Sequence, residues 1–328
     1  MTYGRVGRFE ARRGGRRSGF GLVVISAAWV SLAWAVAACG ESGEGARPAV
    51  TTVAAATEPA SPVPPPTAPE PAVDVPVVPE NVTYGDAETV YRSGKYHDAM
   101  ELFSVYVLRR PENPWGHYML GISAWKAGEL ERAETALTKA VELSPNHVKG
   151  LVNLARVLLD RDRPEAALVH VESALEIDSA ATDTWRVMGN ALSDLGRSDE
   201  AIESYRHALS QDAEDTWSMN NLGLVLIREG RYEEALPPLA RATELSPKTA
   251  VFQNNLGVAL ERSGYPVEAA GAFRAALDAQ PGYGKAEQSL ARVEKVSVPN
   301  TVPPLDLKAL AGNFADEIQR WQVAQIHD

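Results

Sequence analysis

Cysteine is almost absent from this 328-residue sequence: Cys39 is the only one, so no disulfide can form within a chain and a four-thiolate metal site is impossible. The six histidines are scattered, and no two are four residues apart, the spacing that would direct both at one ion from a helix. The sequence contains no phosphate-binding loop and no Gly-x-Ser-x-Gly nucleophile elbow. We therefore expect no metal, no cofactor and no enzymatic activity.

Positive charge is scarce outside the amino terminus. The formal net charge is −11, and residues 1–38, with six Arg and one Glu, contribute +5, so the remaining residues carry −16. Nucleic-acid affinity comes largely from Lys and Arg neutralising phosphates, so a body this acidic disfavours such a partner. The same charge suits solubility and basic partners.

The amino terminus has the features of an export signal. Arginines at residues 5–17 precede an uncharged apolar run over residues 20–38. The run ends in Val36-Ala37-Ala38-Cys39, which resembles the lipobox of bacterial lipoprotein signals. The resemblance implies cleavage before Cys39, acylation of its sulfur, and anchoring to a bacterial membrane, on the periplasmic face of the outer membrane where the cell has one. The alternative is an uncleaved anchor in the inner membrane, since the run is about long enough to span a ~30 Å hydrocarbon core. Whether the signal is twin-arginine or general secretory stays open.

A tether follows the signal. Residues 39–79 are rich in Pro, Ala, Val and Thr and include the run Pro62-Val63-Pro64-Pro65-Pro66. Such a segment cannot bury enough apolar surface to offset its ordering entropy, and proline keeps it extended. We predict a disordered spacer.

Beyond residue 80 the sequence repeats with a period of 34 residues. A glycine, replaced once by aspartate, recurs at Gly94, Gly128, Asp162, Gly196, Gly230 and Gly264. An alanine follows five residues later, at Ala99, Ala133, Ala167, Ala201, Ala235 and Ala269. A large apolar residue follows four positions after that, at Phe103, Leu137, Val171, Tyr205, Leu239 and Phe273. A constant period without insertions indicates stacked copies of one supersecondary unit.

The pattern resembles the tetratricopeptide repeat, a 34-residue helix-turn-helix unit. Proline closes most units, and a Leu-Gly type pair lies in the first half of units 2 to 6, whereas unit 1 has Asp86-Ala87 there. The resemblance implies an all-α, right-handed superhelix (α-solenoid) of about six units, at residues 80–113, 114–147, 148–181, 182–215, 216–249 and 250–283. A capping helix is expected over residues 284–296.

In this family the first helix of each unit lines a concave groove, and the resemblance implies which positions face it. Near the amino terminus they are aromatic: Tyr84, Tyr91, Trp115, Tyr118 and Trp125. Later they are mainly amides and arginines: Asn153, Arg156, Arg186, Asn190, Asn220, Asn221, Asn254 and Asn255, with Trp217 among them. Asparagine can pair with a peptide backbone, and arginine can bind carboxylates. The set resembles the asparagine rows by which some family members hold extended peptides. The alternative is that these side chains face solvent or pack on a neighbouring unit.

The carboxyl terminus carries a second helical pattern. After a proline-containing linker at residues 297–304, residues 305–328 place Leu307, Leu310, Phe314, Ile318 and Trp321 on one face of a helix, with Asp306 as its cap. We expect this amphipathic helix to fold back onto the array, with its own groove as one possible place, or else to bind another protein.

Together these features predict a non-enzymatic scaffold for a peptide or protein segment, held at the cell envelope by a lipid and binding neither nucleic acid nor metal. The combination of a lipobox and about six repeats resembles the pilotin-like lipoproteins of type IV pilus biogenesis. The alternatives are an adaptor for cell-wall enzymes and a glycan or polysaccharide-export component, for which Trp115 and Trp125 would offer stacking surfaces.

Overall fold

The computed structural model describes residues 81–296 and 303–325, so the predicted signal, Cys39 and the tether lie outside the described residues. Within those ranges the chain forms fourteen α-helices and no strand. Twelve of them make six helix-turn-helix units. The units are α1 (Tyr84–Arg92) with α2 (Tyr96–Arg109), α3 (Pro114–Ala127) with α4 (Leu130–Leu143), α5 (Val148–Asp160) with α6 (Pro164–Ile177), α7 (Thr182–Asp194) with α8 (Ser198–Gln211), α9 (Thr216–Arg228) with α10 (Tyr232–Leu245), and α11 (Ala250–Arg262) with α12 (Pro266–Ala279). Helices α13 (Gly284–Val293) and α14 (Leu307–Gln325) follow.

The turn inside each unit needs a residue in the left-handed region. Gly128 has φ 86° at the end of α3, where its amide donates to Trp125 O at 3.0 Å and the next amide, of Glu129, donates to Ala124 O at 2.8 Å. This pair of bonds satisfies carbonyls that the helix end would otherwise leave free. Asp162, the one substitute for glycine in the repeat pattern, also has positive φ, at 57°.

The two helices of a unit approach closely because one presents a glycine where the other presents a large side chain. A Cβ placed on Gly121 would lie 2.5 Å from Leu137 Cγ, and one on Gly257 would lie 2.5 Å from Phe273 Cε1. The six alanines of the repeat pattern have no exposed surface at all. In unit 1, Ala87 fills the glycine position and is fully buried beside Phe103. The predicted repeat packing is therefore confirmed.

Consecutive units stack so that their first helices touch one another. Helix α1 contacts α3, and the same holds along the series α3, α5, α7, α9, α11 and α13. Among the described helices, the second helices of neighbouring units make no comparable contacts with one another. Since the first helices crowd together and the second helices spread apart, the first helices form the inner, concave face.

Helix α14 begins where the sequence predicts, with the Asp306 carboxylate accepting from Ala309 N at 2.9 Å. Its side chains Ala311, Phe314 and Ile318 are buried, and the helix contacts α8 and α10. The tail therefore folds back onto the array, as expected. It lies on second helices, however, so the idea that it fills the groove is wrong.

Candidate functional site

A pocket on the inner face is formed by four consecutive units. Its volume is about 410 Å³, within the range of small-ligand or side-chain sites. Four of the predicted groove residues line it: Trp125, Arg156, Asn190 and Asn221. Seven further residues do so that the sequence reasoning missed: Leu159, Asp160, Ser193, Asp194, Tyr205, Leu224 and Arg228.

The repeat register explains which residues meet there. Asn221, Leu224 and Arg228 are three and four residues apart, so they share one face of α9. Most lining residues form three rows with a 34-residue step: Trp125, Leu159 and Ser193; Arg156, Asn190 and Leu224; Asp160, Asp194 and Arg228. Six of the seven missed residues could have been found by extending the predicted positions to all units. Tyr205 could not, because it belongs to a second helix.

The pocket contains charges of both signs. Trp125 Nε1 donates to Asp160 Oδ2 at 2.6 Å, and the guanidinium of Arg228 donates to the hydroxyl and carbonyl oxygens of Ser193. Partial desolvation raises the pKa of the Asp194 carboxyl, and nearby Asp162 raises it further, while Arg228 opposes both. Among the described residues Asp194 makes no ion pair within 4.0 Å. Its carboxylate is therefore available to a cationic group.

The two arginines predicted for the groove, Arg156 and Arg186, take part in a chain of ion pairs. Arg156 Nη2 lies 3.3 Å from Asp183 Oδ1, and Arg186 bonds both to Asp183 and to Asp215, the latter at 2.8 and 2.9 Å. Asp215 is 7% exposed and also caps α9 through its bonds to the amides of Trp217 and Ser218. Arg186 thus joins two units and is not a free ligand-binding group.

The asparagines bond mainly to one another. Asn255 Nδ2 donates to Asn220 Oδ1 at 2.8 Å, Asn220 Nδ2 to Asn221 Oδ1 at 3.1 Å, and Asn221 Nδ2 to Asn190 Oδ1 at 2.9 Å. Asn254 Nδ2 begins this chain with a long bond of 3.4 Å to Asn255 Oδ1.

The asparagines of this hydrogen-bonded chain differ in how deeply they are buried. Asn220, Asn254 and Asn255 are buried, which differs from the expectation that they face a peptide. Their amides bond to one another inside the array, as burial favours, and among these buried groups Asn254 Oδ1 is left without a hydrogen-bond partner within the described residues. Only Asn190 and Asn221 reach the pocket, and Asn190 Oδ1 also accepts from the hydroxyl of buried Tyr205 at 2.8 Å.

The aromatic residues near the amino terminus do not form one surface. Tyr84 packs edge-on against Phe103 and Tyr106, with ring centroids 5.6 and 5.8 Å apart, and Tyr91 packs on Tyr96 at 5.4 Å. These two tyrosines are therefore engaged within unit 1, and Trp125 alone of the five lines the pocket.

A second aromatic group lies at the junction of units 2 and 3. The Trp115 and Tyr118 rings both contact His147, with centroids 4.6 and 4.8 Å away, and Asn153 Nδ2 donates to Tyr118 Oη at 3.1 Å. Trp115 is 54% exposed and Trp217, on unit 5, is 52% exposed. These two tryptophans offer apolar surface outside the pocket.

No group of three or more His, Cys, Asp or Glu side chains is placed to hold a metal ion within residues 81–296 and 303–325. None of the helices in these ranges combines the length and apolar character that crossing a bilayer requires.

A solenoid of helical pairs with a lined inner groove defines a repeat scaffold, the class of fold that serves protein–protein interaction. Family profiles assign its repeats directly: two tetratricopeptide repeat profiles match residues 180–248 and 220–284, and the profile of the cilia and flagella-associated protein 70 middle TPR-like domain matches residues 86–202. Residues 86–284 therefore consist of tetratricopeptide repeats. None of the matching families is catalytic.

Solved structures share the fold at low sequence identity. The APC/C hetero-tetramer Cut9-Hcn1 aligns with a TM-score of 0.57 and 17% identity, over 63% of this chain and 41% of that one. A tetratricopeptide repeat protein from Parabacteroides merdae aligns with a TM-score of 0.54 and 15% identity, over 64% and 82% of the two chains. YrrB, described as a TPR protein with an unusual peptide-binding site, aligns with a TM-score of 0.44 and 24% identity over 57% and 96%. No curated protein matches the sequence.

Proposed function

We propose that this protein is a non-enzymatic, lipid-anchored scaffold of the bacterial envelope that holds an extended segment of a partner protein in its groove. The pocket on the inner face is the observation that carries this proposal. It spans units 2 to 5 and combines an indole, a leucine surface, amides and charges of both signs. Those are the groups that anchor side chains and orient a backbone at protein interfaces.

The chemistry of the pocket favours a partner segment with a basic side chain. Arg156 is held by Asp183, and Arg228 by Ser193, whereas Asp194 makes no ion pair within 4.0 Å among the described residues. An ammonium or guanidinium group entering the pocket would pair with that carboxylate. The acidic balance of the chain beyond residue 38 supports the same choice.

Anchoring through Cys39 belongs to the same proposal and is supported by the lipobox sequence alone. An acylated Cys39 followed by a tether of about forty residues, extended to roughly 3 Å per residue where it is polyproline-like, would let the array reach partners well away from the membrane. Metabolic labelling with an alkyne-bearing palmitate analogue tests this point, and Cys39→Ser should abolish the label.

Affinity capture from detergent-solubilised envelope, with the full chain as bait, tests the groove. The test variant is Asp194→Lys, which reverses the charge of the pocket carboxylate that would pair with the partner's basic group, and the matched control is Asp278→Lys, an exposed aspartate on α12 with the same charge change. We expect one partner that the native chain and the control retain and the pocket variant loses. Equal capture by all three would place recognition elsewhere and contradict the proposal. The buried asparagines make poor probes because replacing them would remove internal hydrogen bonds.

A further inference from the structure

Helix α14 lies on the side of the array opposite the groove. The helix contacts α8 and α10, and just before it Leu305 N donates to Glu268 Oε1 of unit 6 at 3.1 Å. Phe314 and Ile318 are 3% and 1% exposed, so the helix buries a substantial apolar stripe.

The interface beneath α14 is incompletely filled. A cavity of about 190 Å³ remains between α14 and the second helices, with Phe314 and Trp321 in its wall and the adjacent prolines Pro237 and Pro238 of α10 opposite. Side chains around a void lack contacts on one side. We therefore expect α14 to open more readily than the helices of the core.

Helix α8 contacts both α14 and the groove pocket through two adjacent residues. Trp321 of α14 packs on the guanidinium of Arg206, whose Cζ lies 5.5 Å from the ring centroid. The adjacent residue, Tyr205, donates its hydroxyl to Asn190 in the groove pocket. A displacement of α8 would therefore alter both contacts together.

Helix α9 makes the same connection through its two faces. Leu222 and Leu226 line the cavity under α14, while Asn221, Leu224 and Arg228 line the groove pocket. A packed helix moves nearly as a rigid body, so a shift of α9 at the α14 side would also change the shape of the groove pocket.

We propose that α14 is a clamp behind the groove: when docked it holds α8 and α9 in the arrangement that forms the pocket, and its release loosens the pocket. The regulatory meaning of the clamp rests on the proposed function of the groove. Coupling of this kind is reciprocal, so a ligand in the pocket strengthens α14 docking by the same factor by which α14 docking strengthens ligand binding.

Hydrogen exchange of the full chain in detergent, read by mass spectrometry on peptides from each helix, tests the clamp without any ligand. Phe314→Asp releases α14 by placing a charge in its buried stripe, and Trp321→Ala weakens the contact with Arg206. Val323→Ala is the matched control, since Val323 is on the same helix and 56% exposed. Helices α1 to α4, remote from α14, serve as an internal reference.

If α14 is such a clamp, the amide hydrogens of α7 and α9 exchange at least about fivefold faster in Phe314→Asp than in the native chain. The acceleration is smaller in Trp321→Ala and absent in Val323→Ala. The amides of α1 to α4 are unaffected in all three variants. Faster exchange confined to α14, α8 and α10 would overturn the proposal. So would an equal acceleration of every helix, or an α14 that stays protected in Phe314→Asp. Since no partner is present in this experiment, its failure is separable from a failure of the capture experiment.

Discussion

Gly189 of α7 lies directly beneath the ring of Tyr205 on α8: a Cβ on Gly189 would be 2.5 Å from Tyr205 Cε1 and 2.8 Å from both Cδ1 and Cζ. The ring cannot withdraw easily, because Tyr205 is 1% exposed and its hydroxyl bonds to Asn190. In unit 3 the equivalent positions hold Ala155 and Val171, both fully buried. The extra methyl on one helix is thus matched by a smaller side chain on the other.

Gly189→Ala should lower the free energy of unfolding by about 1–3 kcal/mol, since overpacking forces neighbours off their preferred rotamers. Denaturant unfolding followed by circular dichroism measures the change. Gly271→Ala is the control: apart from its chain neighbours and the backbone of its own helix, no atom lies within 4 Å of a Cβ at this position of α12. It should gain about 0.5–1 kcal/mol from helix propensity. Two effects of the same sign would contradict the close packing of Gly189.

Asp162→Gly should stabilise the array. Asp162 occupies the left-handed turn position with φ 57°, where a residue with a Cβ is strained and glycine is not. We expect a gain of about 0.5–1 kcal/mol in the free energy of unfolding. Gly196→Ala, at the same turn of unit 4 with φ 71°, should lose a similar amount. Thermal melting of the two variants beside the native chain gives both signs, and a destabilised Asp162→Gly would show that the carboxylate has a stabilising role of its own.

Asp215→Ala should lower the free energy of unfolding by about 2 kcal/mol, because it removes the α9 cap and the buried one of the two carboxylates that bind Arg186, leaving only the exposed Asp183. Asp215→Asn keeps the shape and an oxygen for the cap, so its loss should be smaller. Urea unfolding distinguishes the two. If both variants unfold like the native chain, the Arg186–Asp215 pair does not hold units 4 and 5 together.

Stability should decline as the pH falls through the titration range of histidine. Burial, with a smaller contribution from Lys149, lowers the pKa of His147 below its ordinary value of 6.5, and burial likewise lowers the pKa of His170. The unfolded chain therefore binds these protons at higher pH than the folded chain. The stability due to the neutral imidazoles is present above the unfolded pKa and is lost as the pH drops below it.

Melting temperatures between about pH 7.5 and about pH 5.5 test this, because the carboxylates stay mostly ionised over that range. The native chain should lose stability toward the acid end, and His147→Gln should lose less. The comparison concerns the slope with pH, so a uniform offset of the variant does not affect it. Identical slopes would show that His147 is equally easy to protonate in both states.

Much of the fold could be derived from the sequence because each repeat specifies itself locally. The glycine at five of the six turns, the alanines of the second helices and the large residue that packs on the first helix recur in register, so the packing of one unit is repeated six times. The residues that line the groove could be derived less well from the sequence. Arg186 and Asn220 occupy groove positions in the register, but partners on neighbouring units hold them inside the array.

The amino-acid sequence alone determined that the described chain is a stack of helical pairs, since 34-residue periodicity and small residues at fixed positions leave no other way to bury its apolar faces. It also predicted which face of α14 packs on the array, because a helical stripe is a local property. Phe314 and Ile318 are buried and Leu307, Leu310 and Trp321 are partly buried, whereas the burial of Ala311 was not predicted. Only the tertiary structure decided where α14 docks, which asparagines satisfy one another, and that Asp160, Asn190 and Arg228 border one pocket. Those outcomes depend on how successive units are rotated against each other, and that rotation arises from contacts between residues far apart in the chain.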